Sequence, residues 1–139
     1  MNGAGIRTIR VLLVDDRSAV RTGLRIWLSL EPDLEVVGEA SDGSEAISLT
    51  QALCPDVVLM DVEMPHMDGI SATAALRSLA PQSVVVILTL HDDPATRTRA
   101  REAGAGAFVA KHRMEETLLA EIRQVAMAHD NESRCDVHD

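Results

Sequence analysis

Aromatic side chains are nearly missing from this sequence: Trp27 and Phe108 are the only two, and there is no tyrosine. That excludes the stacking platforms on which single-stranded nucleic acids are held. Basic residues are also scarce, 13 against 22 acidic ones, and the net charge of −9 argues against direct contact with DNA or an anionic membrane. No apolar run approaches the ~18 to 20 residues that a bilayer-spanning helix requires. Met1 to Thr8 lacks the apolar centre of a secretory signal, so a soluble, cytoplasmic protein is expected. Cysteine is limited to Cys54 and Cys135, whose spacing suits neither a disulfide framework nor a zinc site. Both are expected as free thiols in a reducing compartment.

The hydrophobic share is nevertheless 46%, so the core must be made of Val, Leu, Ile, Ala and Met. A chain of 139 residues suits one domain with a sizeable core. Short runs rich in β-branched residues predict strands near 9–14, 35–39, 57–61, 84–89 and 107–110. Each is too short for a buried helix, and most are apolar enough to be covered on both faces. The second, Glu35-Val-Val-Gly-Glu39, reads as an edge. Helices are predicted near 18–30, 43–53, 69–79, 94–103 and 114–128. Val20, Leu24, Trp27 and Leu28 share one face of the first, which Pro32 stops. Asp68 is a cap for the third. Asp92 or Asp93 caps the fourth, with Pro94 in its first turn and Gly104 closing it.

Alternating strands and helices with right-handed crossovers give an α/β fold: a doubly wound (βα)5 three-layer sandwich, a parallel five-stranded sheet with helices on both faces. Residues 1–8 form a short N-terminal extension and 9–128 the folded domain. Residues 129–139 form a polar, frayed tail too short to hold a second domain.

Several predicted strands end in chemistry. Asp15 and Asp16 follow the first, Asp61 ends the third, Thr89 ends the fourth and Lys111 follows the fifth. Open α/β sheets bind ligands at this edge. Two carboxylates about 5 Å apart repel by on the order of 3 kcal/mol at an effective dielectric of about 20. Such a cluster calls for a cation, and hard oxygen ligands with open positions select Mg²⁺. Asp61 is the candidate nucleophile, since a carboxylate can form an acyl phosphate. Lys111 and the metal would stabilise charge on the transferring group, and Thr89 could donate to a phosphoryl oxygen. The bland alternative, with the aspartates as helix and turn caps and Lys111 solvated, suits any one of these residues better than all five together.

The segments Val11-Leu-Leu-Val-Asp15-Asp16, Val58-Leu-Met-Asp61-Val-Glu-Met-Pro65-His-Met-Asp68-Gly69, Ile87-Leu-Thr89 and Phe108-Val-Ala-Lys111 resemble the receiver domain of bacterial two-component response regulators. The likeness spans roughly residues 8–128. Leu-Thr89-Leu-His-Asp-Asp-Pro94 and Glu102-Ala-Gly-Ala-Gly-Ala-Phe108 are most similar to the NarL/FixJ (LuxR-type) branch, whose members carry a C-terminal helix-turn-helix domain. The resemblance implies a flavodoxin-like, CheY-like sandwich. It implies Asp61 as phosphoacceptor and Asp15, Asp16, Asp61 and the Glu63 backbone carbonyl as Mg²⁺ ligands. It further implies Lys111 as the phosphate contact, with Thr89 and Phe108 as the switch pair. A sensor histidine kinase is the implied partner, the helix 4–strand 5–helix 5 face the readout, and a phosphorylation-linked homodimer is left open. No direct binding to nucleic acid or membrane by this chain is expected.

Some positions depart from the family. His112 stands where proline usually follows the lysine, and Leu90 stands where small residues are common, so restricted access to the acyl phosphate is expected. Glu63 adds a carboxylate near the site that His91 offsets in part. Arg97, Arg99 and Arg101 give the fourth helix a basic face, either simply solvated or pairing with Glu115 or Glu121 of a second subunit. His66, His91 and His112 follow no metal-ligand spacing. Met60, Met64 and Met67 read as gap-fillers around the third strand's loop, and Gly69 as a residue supplying backbone conformation at the start of the third helix.

Two other functions share parts of this pattern. A haloacid-dehalogenase-type phosphatase also forms an aspartyl phosphate and has a second acid two residues on, as Glu63 is here. However, it carries its nucleophile on the first strand and wants Thr where Pro65 stands. A flavodoxin-like cofactor binder lacks here both a phosphate-cradling loop after the first strand and aromatics to flank a flavin. Within the leading reading, a natural single-domain receiver and the receiver part of a longer transcription regulator both remain, with the branch likeness favouring the second.

Overall fold

The structure, a computed structural model, describes residues 8–64 and 66–129. Most of the extension at 1–8, most of the tail at 129–139, Cys135 and Pro65 therefore lie outside the described residues. The strands are β1 (Ile9–Val14), β2 (Leu34–Ala40), β3 (Val57–Asp61), β4 (Val84–Thr89) and β5 (Ala107–Ala110). The helices are α1 (Ser18–Ser29), α2 (Gly43–Leu53), α3 (Gly69–Leu79), α4 (Pro94–Ala103) and α5 (Met114–His129), with a 3-10 turn at Lys111–Arg113.

Every strand pair is parallel and the order is β2-β1-β3-β4-β5, so β2 is an edge, as its Glu-flanked sequence predicts. The chain leaves β1 for β2 on one side and then crosses back to β3 on the other. The junction of β1 and β3 is thus the point where the winding reverses, which is where such sheets hold ligands.

Side chains alternate across the sheet. Val11 and Leu13 of β1 join Leu59, Val86, Leu88 and Val109 in one core, closed by Leu24 and Leu28 of α1 and Leu118 and Ile122 of α5. Leu12 and Val14 join Val58, Met60, Val85 and Ile87 in the other, closed by Ala46 of α2, Ala72 and Leu76 of α3 and Ala100 of α4. One face is therefore sealed by leucine and isoleucine and the other largely by alanine. Met64 and Met67 pack against the second core, filling gaps as expected.

The caps follow the sequence. Asp42, Asp68 and Asp93 accept the backbone N–H of Glu45, Ser71 and Thr96, each at 2.8 Å. Gly104 ends α4 in the left-handed region at φ 107°. Arg123 of α5 forks onto Asp33 at 2.8 and 2.9 Å and reaches Glu31 at 2.7 Å, which ties the α5 helix to the turn before β2.

Two expectations are corrected. Cys54 takes part in a disulfide and is not a free thiol; it sits half-buried at the left-handed C-cap of α2, where its side chain is accessible. Gly69 has no positive φ. It is required for a close approach: a Cβ there would lie 2.1 Å from the Asp61 carbonyl oxygen, because the Gly69 N–H donates back to the Val62 carbonyl at 2.9 Å and closes the loop.

The glycines offer a paired test. Gly69→Ala forces backbone apart and is expected to lower stability by about 1–3 kcal/mol. A Cβ added at Gly23, inside α1, would meet nothing within 4 Å, and the residue borders a groove of about 560 Å³ between α1 and α5. Gly23→Ala is expected to raise stability by about 0.5–1 kcal/mol through helix propensity. Urea unfolding of both variants checks the two signs.

Candidate functional site

The register sets the site. Val14 pairs with Met60, Asp61 with Leu88, and Thr89 with Ala110. One residue past each matched end come Asp15 and Lys111, so four neighbouring strands deliver Asp15, Asp61, Thr89 and Lys111 at one level. Asp16 follows on the loop to α1.

Asp15 and Asp61 are 2% and 1% exposed, whereas Asp16 faces solvent. One carboxylate oxygen from each of the three lies within 4.8 Å of the others. The Lys111 ammonium, itself nearly buried, stands 2.8 Å from Asp61 Oδ1 and 3.2 Å from Asp15 Oδ2. Asp15 Oδ1 also accepts the Arg17 backbone N–H at 2.9 Å, which anchors the loop leading into α1. Asp15 thus braces the entry loop without capping α1, and the same carboxylate faces Lys111.

Lys111 donates to Asp15 Oδ2 at 3.2 Å and forms the shorter contact, 2.8 Å, with Asp61 Oδ1. Asp61 Oδ1 is thus buried with the Lys111 ammonium as its ion-pair partner. Burial pushes the Asp61 carboxyl up to about 6; Lys111 opposes the rise, and the charges of Asp15 and Glu63 add to it. Three carboxylates served by one ammonium fit a hard divalent cation with open positions for water and phosphate oxygen.

Thr89 is fully buried, and its hydroxyl oxygen accepts the His91 N–H at 2.9 Å, pinning the start of the β4–α4 loop. The Glu63 side chain turns away from the carboxylate cluster and meets His91 Nε2 at 3.3 Å. Leu90 is 56% exposed. Phe108 is half-buried against the second core. The Lys111–His112 peptide bond is trans. A shallow cavity of about 450 Å³ opens alongside, bordered by Asp16, Glu63, Asp68 and Arg99.

These contacts are matched by kinship. Residues 11–123 match the model of the response regulator receiver domain. The chain is a response regulator receiver domain. It is 47% identical over 104 residues to the transcriptional regulatory protein LiaR of Bacillus subtilis, covering 74% of this chain and 49% of that protein. It is 38% identical over 119 residues to the response regulator protein VraR of Staphylococcus aureus, covering 86% and 57%. The signal receiver domain of the putative response regulator NarL from Mycobacterium tuberculosis superposes with a TM-score of 0.78 at 36% identity, covering 91% of this chain and 99% of that one. The receiver therefore falls in the NarL/LuxR branch and spans about half the length of the curated relatives it matches. No helix among the described residues is long and apolar enough to cross a membrane.

The structure brings together the five residues at the strand ends and leaves Phe108 and the Glu63 side chain outside that cluster. Sequence reasoning missed three features around it. Arg17 secures Asp15 and His91 secures Thr89 through backbone N–H groups, which no side-chain pattern signals. Arg97, read as a surface charge available to a second subunit, is engaged within the chain by Asp92 and Phe108.

The raised Asp61 carboxyl sets a pH dependence for the metal-free receiver. Asp61 detracts least below the unfolded value near 4, and stability is lost as pH rises through about 6 and the buried carboxyl must ionise. Asp61→Asn removes that loss. In EDTA the variant is expected to melt above the wild type at pH 7.5, with the difference shrinking toward pH 4. Melting curves across this range check it, and a variant that is less stable at pH 7.5 would contradict the sign.

Proposed function

We propose that Asp61 accepts a phosphoryl group from a sensor histidine kinase and that the receiver transmits this to its α4–β5–α5 face, as the switch part of a NarL/FixJ-type transcription regulator. The observation that carries the reading is the buried Asp61 carboxylate set between two further aspartates and the Lys111 ammonium.

Asp15, Asp16, Asp61 and the Glu63 backbone carbonyl are the residues that would hold Mg²⁺. The bound ion would supply charge neutralisation for the phosphoryl oxygens. The rest falls to the chain. An Asp61 carboxylate oxygen attacks phosphorus; the P–N bond of the phosphohistidine breaks, and its electron pair and a proton end on the imidazole nitrogen. The product is an acyl phosphate. Lys111, already within ion-pair reach of Asp61, shifts to a phosphoryl oxygen as negative charge grows there. Thr89 donates its hydroxyl proton to the same group in place of the His91 carbonyl, to which it now donates at 3.5 Å. Small phosphodonors such as acetyl phosphate react by the same attack, with acetate leaving; water later attacks phosphorus, the acyl O–P bond breaks, and inorganic phosphate departs to leave the carboxylate.

Phosphorylation would shift a pre-existing balance between two arrangements of the β4–α4 loop and Phe108. The receiver works in the bacterial cytoplasm, and contact with DNA falls to a domain outside this chain, in keeping with the net charge of −9. The length of the relatives favours this over a stand-alone receiver. The phosphatase alternative is disfavoured because Asp61 ends β3 and not β1.

Incubation with acetyl phosphate and Mg²⁺ is expected to add one phosphoryl group, about 80 Da by intact mass. The adduct is expected to be absent with EDTA and absent in Asp61→Asn. An equal adduct on Asp61→Asn would move the acceptor elsewhere. Leu90 adjoins Thr89 at the mouth of the site, and Leu90→Ala is expected to shorten the lifetime of the phosphorylated form by opening a path for water. A decay rate equal to wild type would remove Leu90 as a shield.

A further inference from the structure

The α4 helix has no large apolar side chain: Pro94–Ala103 reads PATRTRAREA, and its buried residues are Thr96, Ala100 and Ala103. No hydrophobic side chain of that helix is long enough to cover the Phe108 ring beside it. The ring is instead covered by a cation. The Arg97 guanidinium carbon lies 4.6 Å from the ring centroid. That guanidinium is in turn fixed, its Nε donating to Asp92 Oδ1 at 2.7 Å.

Asp92 belongs to the loop that Thr89 pins. The Thr89 hydroxyl accepts the His91 N–H, and Asp92 is the next residue. The Arg97 backbone N–H donates to the Asp93 carbonyl at 3.0 Å, so the loop and the first turn of α4 move together. A continuous line of contacts runs from Thr89 at the carboxylate site through His91, Asp92 and Arg97 to Phe108. Phe108 stands on β5 opposite Ile87, two residues before Ala110, the partner of Thr89.

We propose that Arg97 is a positioning residue for the switch: clamped by Asp92, it holds Phe108 in its half-exposed place and sets how much phosphorylation must supply to move it. The inference rests on the assignment of Asp61 as acceptor and of Thr89 and Phe108 as the moving pair. When the Thr89 hydroxyl proton turns to the phosphoryl group it gives up the His91 carbonyl, the hold on the loop carrying Asp92 weakens, and the anchor of Arg97 loosens with it. The ring then leaves a weakened cover. A cation over an aromatic face and an exposed ion pair together bias such an equilibrium by about three- to tenfold.

Phe108 is the only phenylalanine in the chain, so its labelled ring gives an unambiguous NMR signal. In the ligand-free protein, Arg97→Gln is expected to lower the population of the half-exposed ring rotamer. It is also expected to lower the beryllofluoride concentration, at fixed Mg²⁺, that half-converts the receiver, by about three- to tenfold. Asp92→Asn is expected to act in the same direction. In a Phe108→Leu background, Arg97→Gln is expected to have no further effect on beryllofluoride binding.

An unchanged ring population together with an unchanged half-conversion point in Arg97→Gln would overturn the proposal. So would an undiminished effect in the Phe108→Leu background, since Arg97 would then act on the site through charge alone. Wild type that fails to take up beryllofluoride would count against the Asp61 assignment, and the ligand-free ring populations would still decide the role of Arg97.

Discussion

The Lys111 ammonium, nearly buried, reaches the buried carboxylates of Asp15 and Asp61 at 3.2 and 2.8 Å, and this contact governs the upper edge of the sheet. Two carboxylates kept from water repel strongly, and one ammonium balances them only in part, with Asp16 adding a further negative charge nearby. A fold that holds this arrangement does so because its register leaves no alternative: the hydrophobic alternation of β1, β3, β4 and β5 fixes the level at which each polar group emerges. A slip of one residue would turn Leu13, Leu59 and Leu88 out of one core and drive the strand-end aspartates into the other. Core packing therefore sustains the electrostatic strain at the site. Burial under that packing is also what raises the Asp61 carboxyl against the pull of Lys111.

That same alternation is why the fold could be read from the residues. Val57–Asp61, Val84–Thr89 and Ala107–Ala110 run as predicted to the residue, because a parallel strand covered on both faces has abrupt polar or glycine boundaries. The β2 edge is one residue longer at each end than predicted, since Leu34 and Ala40 flank polar positions and give a weaker signal. The five strand-end residues were legible because topology alone brings them together. Their placement needed no knowledge of side-chain direction.

What was not legible depends on contacts between unlike or distant residues. Gly69 reads as a conformational glycine, yet its role is to admit the Asp61 carbonyl, a matter of loop closure that spacing does not encode. His66 adopts φ 71° in the β3–α3 loop without a glycine to announce it. Cys54 reads as unpaired because two cysteines without a pattern give no connectivity. Arg97 is five residues from Asp92 and eleven from Phe108, spacings that belong to no helical or strand rule; only the packed loop turns them into one unit.

The unequal covering of the two faces bears on where movement can occur. The α1 and α5 helices close their core with leucine and isoleucine, and Arg123 adds a forked tie to the turn before β2. The α4 helix touches its core through Ala100 with Thr96 and Ala103 beside it, and spends a polar contact on the one aromatic ring within reach. Little apolar surface holds α4 in place; of the bonds in its first turn, Asp93 to Thr96 is part-buried and Asp92 to Arg97 is exposed. Segments held this way open at low free energy. A receiver must keep its carboxylates fixed to the ångström while letting one face respond. Side-chain size differs accordingly: leucine and isoleucine lie under α1 and α5, and alanine lies under α4. Of the contacts in this line, only those of the Thr89 hydroxyl, which accepts the His91 N–H at 2.9 Å and donates to the His91 carbonyl at 3.5 Å, lie at the strand end that carries the chemistry.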